Sequence, residues 1–194
     1  MINSFSPEFI KNFIKNPTHV GAIAPSSKEL ARVMIRGLAL NEGEAVLELG
    51  PGTGAFTCQI RNIIPDSSAY IGIEREASFC RFLERRFPEL QFVNGNAAEL
   101  DTIYPAVSDK PAKVIISGLP FATLMPRVRD SIIDCLDQLM TPGTIFRTFQ
   151  YVHAYPFPTA VEFRERMYRL FGEHHRSKVV FRNLPPAFVL TWQR

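Results

Sequence analysis

Between an apolar run and a helical run the chain places Glu48-Leu49-Gly50-Pro51-Gly52-Thr53-Gly54. Glycines at alternate positions allow a tight turn in which a ligand can approach the backbone closely. That spacing alone suits any nucleotide-binding turn. The acid in front of it narrows the chemistry, because a carboxylate at Glu48 repels a pyrophosphate and suits a ligand with a cationic end. About 20 residues beyond the glycines, Glu74 closes a second apolar run, where an acid can accept bonds from both hydroxyls of a ribose. Gly95-Asn96-Ala97 closes a third run and Ser117-Gly118-Leu119-Pro120-Phe121 a fourth. A nucleoside with a cationic amino-acid tail meets these requirements together, and S-adenosylmethionine is the expected cofactor.

The elements that must position these residues alternate. Strands are expected at Ala45–Leu49, Tyr70–Ile73, Gln91–Val93, Lys113–Ser117 and Thr144–Tyr151, from short apolar runs bounded by turn residues. Helices are expected at Ala55–Ile64, Ala77–Phe87, near Val128–Met140, and at Ala160–Phe171. Before them, Ser26-Ser27-Lys28-Glu29 fits a capping box and opens a helix through Leu30, Val33, Met34 and Leu38. Repeated β-α units imply a mostly parallel sheet with helices on both faces. Lys178–Phe181 and Phe188–Trp192 are expected as two closing strands, antiparallel because so short a link cannot make a parallel crossover. The expectation is an α/β, Rossmann-like, seven-stranded sheet ending in a hairpin, in a single domain over 1–194.

This order of motifs resembles the class I methyltransferases. The resemblance gives Glu48 to the methionine end, Glu74 to the ribose and the Gly95-Asn96-Ala97 turn to adenine. Most members carry Gly-Asp-Ala at that turn; Asn96 departs from the pattern, and its side-chain carbonyl can still accept a bond from the adenine amine. The tetrad Gly118-Leu119-Pro120-Phe121 aligns with the Asn-Leu-Pro-Tyr of ribosomal RNA adenine dimethylases, with glycine where their target-holding amide stands. That counts against adenine N6 as the target. Over most of its length the chain resembles the small bacterial phospholipid N-methyltransferases, relatives of those dimethylases. The matching segments are Gly21–Ser27, Glu48–Gly54, Ser117–Phe121 and Asn183-Leu184-Pro185-Pro186-Ala187. The resemblance implies methylation of the amine of phosphatidylethanolamine at a membrane surface, with phospholipid as substrate and surface, no nucleic acid and no obligate protein partner. The candidate cofactor residues are then Ser26, Glu48, Gly50, Pro51, Gly52, Gly54, Glu74, Asn96, Ala97, Ser117 and Gly118.

An attacking amine must be neutral, although a free primary amine is mostly protonated near neutral pH, so the site needs desolvation, a proton acceptor or both. Methylated products approach a permanent cation, which aromatic faces stabilise by about 0.5–2 kcal/mol each. Phe121 and Tyr151 are placed for this role. Tyr151 can also orient the amine, and His153 can accept a proton or contact a phosphate. Arg147, Arg176, Lys178 and Arg182 are candidates for the lipid phosphate.

Charge is uneven along the chain. Residues 1–36 hold five basic and two acidic side chains, residues 37–146 nine and fourteen, and residues 147–194 eight and three. Basic ends suit an anionic surface, membrane or nucleic acid. Phe5, Phe9, Ile10, Phe13 and Ile14, with Lys11 and Lys15 between them, form an amphipathic stretch that can lie in a bilayer interface or dock on the domain. No apolar run reaches the roughly 18 residues of a membrane span. The start has no signal-peptide pattern. Cys58, Cys80 and Cys135 have no metal-ligand spacing, and no metal is expected. These features lead to an expected location in the cytoplasm, peripherally on the inner face of the membrane. Methylation of nucleic-acid amines, methylation of another amine lipid such as ornithine lipid, and non-catalytic cofactor binding are the competing functions.

Overall fold

A computed structural model of the chain describes residues 26–194. The amphipathic stretch Phe5–Ile14 and most of the Gly21–Ser27 segment lie outside the described residues. The apolar runs form β1 (Ala45–Leu49), β2 (Tyr70–Glu74), β3 (Gln91–Asn94), β4 (Ala112–Ser117) and β5 (Ile145–Tyr151), followed by β6 (His175–Arg176) and β7 (Ala187–Gln193). The helices are α1 (Lys28–Ile35), α2 (Thr57–Ile60), α3 (Ala77–Arg86), α4 (Leu100–Val107), α5 (Pro126–Leu139) and α6 (Pro158–Phe171).

The seven strands make one sheet in the order β3-β2-β1-β4-β5-β7-β6. Strands β3 to β5 are mutually parallel, whereas β7 is antiparallel to both β5 and β6. Side chains alternate across β1 and are buried on both sides of the sheet. Val46 joins a core with Leu30, Met34, Ile60, Leu83 and Phe87 from the helices on one face. Leu47 and Leu49 join Ile133, Leu136, Phe163 and Met167 on the other. The chain moves outward from β1 through β2 to β3, then returns to lay β4 on the opposite side. The carboxyl ends of β1 and β4 therefore flank the point where an open sheet of this kind binds its ligand.

Four local expectations are corrected. The helix after the glycine loop covers Thr57–Ile60 rather than Ala55–Ile64; beyond it the chain tightens into i→i+3 turns, with Asn62 N–H donating to Gln59 O at 3.1 Å and Ile63 N–H to Ile60 O at 2.9 Å. A helix at Leu100–Val107, with Pro105 inside it, was not expected; it forms because Leu100 and Tyr104 bury one face against the core. The α1 cap is Ser27, whose Oγ accepts the Leu30 N–H at 3.1 Å. Glu29 pairs with Arg32 instead of closing a capping box. The Ser27 N–H that a box would satisfy donates to Asn183 Oδ1 at 2.9 Å, from 156 residues away.

The penultimate strand is also displaced, to His175–Arg176 instead of Lys178–Phe181. Ser177 explains the shift: its Oγ accepts the Val189 N–H at 2.9 Å, in place of a backbone carbonyl. The ladder breaks there, leaving Val180 with a single bridge to Ala187. Residues 181–186 form a loop in which Phe181, Arg182 and Leu184 are exposed and Asn183 is buried.

Candidate active site

The glycine loop follows β1 directly. Gly50, Gly52 and Gly54 have φ of +67°, +56° and +80°, which L side chains rarely adopt. A Cβ at Gly50 would lie 2.7 Å from Leu119 Cδ2, and one at Gly54 2.7 Å from Phe87, whereas Gly52 faces open space. The loop is held by Gly54 N–H donating to Pro51 O at 2.9 Å and by Arg86 Nη1 donating to Thr53 O at 2.7 Å.

Two carboxylates flank it. Glu74 Oε2 accepts the Gly52 N–H at 2.9 Å and Oε1 accepts the Glu76 N–H at 3.0 Å, pinning the acid at the end of β2. Each oxygen keeps further acceptor capacity for a diol. Glu48 lies under the loop and is 0% exposed. Its Oε2 accepts hydrogen bonds from Tyr70 Oη at 2.6 Å and Thr57 Oγ1 at 2.7 Å. Its Oε1 is buried with no hydrogen-bond partner. Burial pushes the carboxyl from 4.5 up to about 7, against the lowering effect of those bonds, and the charge of Glu74 adds to the rise. An orphaned buried acceptor beside a second acid is an electrostatic deficit that a cation relieves and a pyrophosphate deepens.

The other cofactor candidates surround this loop unevenly. Asn96 Oδ1 accepts the Ala98 N–H at 3.1 Å and caps a short 3₁₀ turn containing buried Ala97. Ser117 is buried, with Oγ accepting the Leu119 N–H at 3.2 Å. Gly118 donates its N–H to Leu49 O at 2.8 Å, and a Cβ there would lie 2.7 Å from Gly50 O. This contact joins the β4 end to the glycine loop backbone to backbone. Ser26 sits just before the α1 cap, in the corner bonded to Asn183 rather than in the loop itself.

On the substrate side the candidates separate. Phe121 does not line the site. It is 1% exposed, stacked on Phe163 at 4.3 Å between centroids and set edge-on to Phe146. In the turn after β4 it joins the α5–α6 core and holds α6 to the sheet. Tyr151 ends β5 on the opposite face, edge-on to Phe149, which meets Phe56 at the start of α2. His153 lies parallel to the Tyr151 ring at 5.7 Å, and exposed Phe157 meets His153 edge-on at 6.3 Å. Burial raises the Tyr151 phenol from 10 to about 12, so it stays protonated at any physiological pH.

Of the phosphate candidates, Arg147, Lys178 and Arg182 line one cleft of about 540 Å³ between α1 and the 175–182 segment, together with Arg36. Arg147 is committed within it: Nη1 donates to Met34 O and Arg36 O and Nε to Thr191 Oγ1, all at 3.0 Å, closing the end of α1. Arg176 lies elsewhere, over the rings of Phe188 and Tyr155. The sequence reading missed Thr57, Tyr70, Arg86, Arg36 and Phe157. Tyr70 opens β2 opposite Val46, and only the parallel register brings its hydroxyl under Glu48.

The family model described as ribosomal RNA adenine dimethylase matches residues 2–123. The chain belongs to the ribosomal RNA adenine dimethylase family. Within and around it, the chain is 29% identical to an ornithine lipid N-methyltransferase from Singulisphaera acidiphila, over 92% of this chain and 91% of that protein. A ribosomal RNA small subunit methyltransferase A from Chlorobaculum parvum is 28% identical over 51% of this chain, which spans only 34% of that relative. Among solved structures, a TehB-like SAM-dependent methyltransferase from Corynebacterium glutamicum superposes with a TM-score of 0.63 at 14% identity, covering 96% of this chain and 97% of the other. The fold is that of the Rossmann-like methyltransferases, and this family member is an S-adenosylmethionine-dependent methyltransferase. Glycine loop, Glu48 and Glu74 fit that cofactor on charge and on backbone access.

Proposed function

We propose that this family member N-methylates the amine headgroup of a membrane lipid. Gly118 carries the reading. At the position where the RNA dimethylases hold their target with an amide, this chain has no side chain, and a Cβ would run into the Gly50 carbonyl at 2.7 Å. A flexible lipid amine needs no such amide. The lipid-acting relative supports the reading by matching almost from end to end, whereas the RNA-acting relative matches over about half of this chain. An amino-acid lipid of the ornithine type is the first substrate on that ground, and phosphatidylethanolamine the second. Both offer an amine beside an anionic group.

When bound, S-adenosylmethionine supplies the electrophilic methyl group. The chain's own residues then have three tasks. Glu48 and Glu74 hold a cationic nucleoside against the glycine loop. Tyr151 accepts a hydrogen bond from the amine and aims its lone pair; being protonated throughout, it orients and does not act as the base. His153, exposed at its side, can pass the released proton to water. The faces of Tyr151 and Phe157 offer the methylated cation aromatic surface as its charge becomes permanent.

Tyr151→Phe keeps the ring and removes one hydrogen bond, worth about 1 kcal/mol. Turnover is expected to fall roughly fivefold, with KM and thermal midpoint little changed; steady-state rates on dispersed amine lipid check this. The reading itself is tested by mass spectrometry of lipids from cells expressing the protein. Methylated amine lipids absent from cells carrying the empty vector support it. An unchanged lipid profile with cofactor-competent protein present contradicts it.

A further inference from the structure

Residues 178–186 close the β6–β7 connection with an unusual surface. Phe181 is 78% exposed and Leu184 83%, the two highest values among the exposed large apolar side chains of the described residues. Isolated exposed apolar residues are ordinary; two such side chains three positions apart on one anchored loop are not. The anchor is Asn183, 2% exposed, whose Oδ1 accepts the Ser27 N–H at 2.9 Å and whose Nδ2 donates to Pro185 O at 2.7 Å. The Val152 N–H donates to Pro186 O at 2.9 Å, so the loop is also tied to the residue after Tyr151. Buried Asn183 thus sits between the two exposed side chains and fixes the loop on the domain.

The surrounding charge is mainly basic, and the one acid among the described residues that line the adjoining cleft, Glu29, is paired with Arg32. Lys178 and Arg182 are exposed and, with Arg36, line the adjoining cleft. None of the three forms an ion pair with the acids of the described residues. Val152 and Phe157, also exposed, lie beside the end of β5. Large apolar tips flanked by unpaired cations match the two layers of an anionic bilayer surface, acyl boundary and headgroup.

We propose that the 178–186 loop docks the domain on an anionic lipid surface, with Phe181 and Leu184 entering the acyl boundary and Lys178 and Arg182 meeting the headgroups. Docking there presents the end of β5, and so Tyr151, to the bilayer. The proposal rests on the lipid-substrate reading but is tested apart from it, on vesicles of phosphatidylcholine and phosphatidylglycerol that contain no amine to methylate.

The full chain and its Phe181→Ser/Leu184→Ser variant are sedimented with such vesicles. The variant is expected to partition at least tenfold less well, with unchanged thermal midpoint and unchanged S-adenosylmethionine affinity. Leu184→Trp supplies a direct readout against Trp192, which is fully buried; its emission is expected to shift to the blue and to be quenched by brominated acyl chains. Wild-type partitioning of the double variant, or an emission from Leu184→Trp that vesicles leave unaltered, overturns the proposal. Failure of the substrate reading alone would leave both vesicle results intact while no amine lipid gained a methyl group.

Discussion

Glu48→Gln is expected to make the cofactor-free protein more stable above pH 7 and to weaken S-adenosylmethionine binding at least tenfold. Both effects come from one enclosed carboxyl. Burial holds its proton until about pH 7, whereas the ordinary value is 4.5. Between those values the unfolded chain has released a proton that the folded chain retains, so this group's contribution to stability falls as pH rises through the window. Below it the wild-type carboxyl is neutral in both states and resembles the amide. The advantage of Glu48→Gln is therefore near zero at pH 4.5 and complete above pH 7, where it reaches at most about 3 kcal/mol. Glutamine keeps an acceptor for Tyr70 and Thr57 but brings no negative charge for a cationic ligand. Thermal midpoints against pH, with and without cofactor, check both halves. A variant that binds the cofactor as tightly as wild type removes Glu48 from the account.

Gly118→Asn supplies the amide of the RNA dimethylases' tetrad, and is expected to lower methyl transfer at least tenfold without conferring transfer to adenine. The reason is steric. Gly118 already approaches Leu49 and Gly50 backbone to backbone, and any Cβ meets the Gly50 carbonyl at 2.7 Å. That carbonyl belongs to the glycine loop to which we assign the cofactor, so β4 and the loop must part. Overpacking of this kind costs about 1–3 kcal/mol, visible as a lowered midpoint. Gly118→Ala is expected to show much of the same loss, since the first carbon makes the clash. Rates on lipid and on small-subunit RNA, with melting curves, decide it. Undiminished lipid transfer by either variant contradicts the steric account.

The first five strands and the glycine loop were legible because they rest on local pattern: short apolar runs, closely spaced glycines and acids at strand ends. Glu48 and Glu74 were found that way. What the sequence hid depended on partners far along the chain. Tyr70 has an ordinary strand-start appearance until the β1–β2 register brings its hydroxyl to Glu48. Ser27 caps α1 in place of Ser26 because Asn183 supplies the bond that a nearby acid supplies in a capping box. Phe121 has the right type and place for a cation-facing aromatic, and only its stacking on Phe163 shows that it faces the core. The run Lys178–Phe181 has strand composition, yet Ser177 ends the ladder before it begins. That same interruption frees Phe181 and Leu184 to stand at the surface.

The most direct test of the central claim is a single competition reaction. Labelled S-adenosylmethionine and the full chain are mixed with vesicles containing ornithine lipid and phosphatidylethanolamine, together with small-subunit ribosomal RNA, and lipid and RNA are separated and counted. Label on the amine of either lipid, with none above background on adenine, is the result the account predicts. Label on RNA adenine with none on lipid would contradict it.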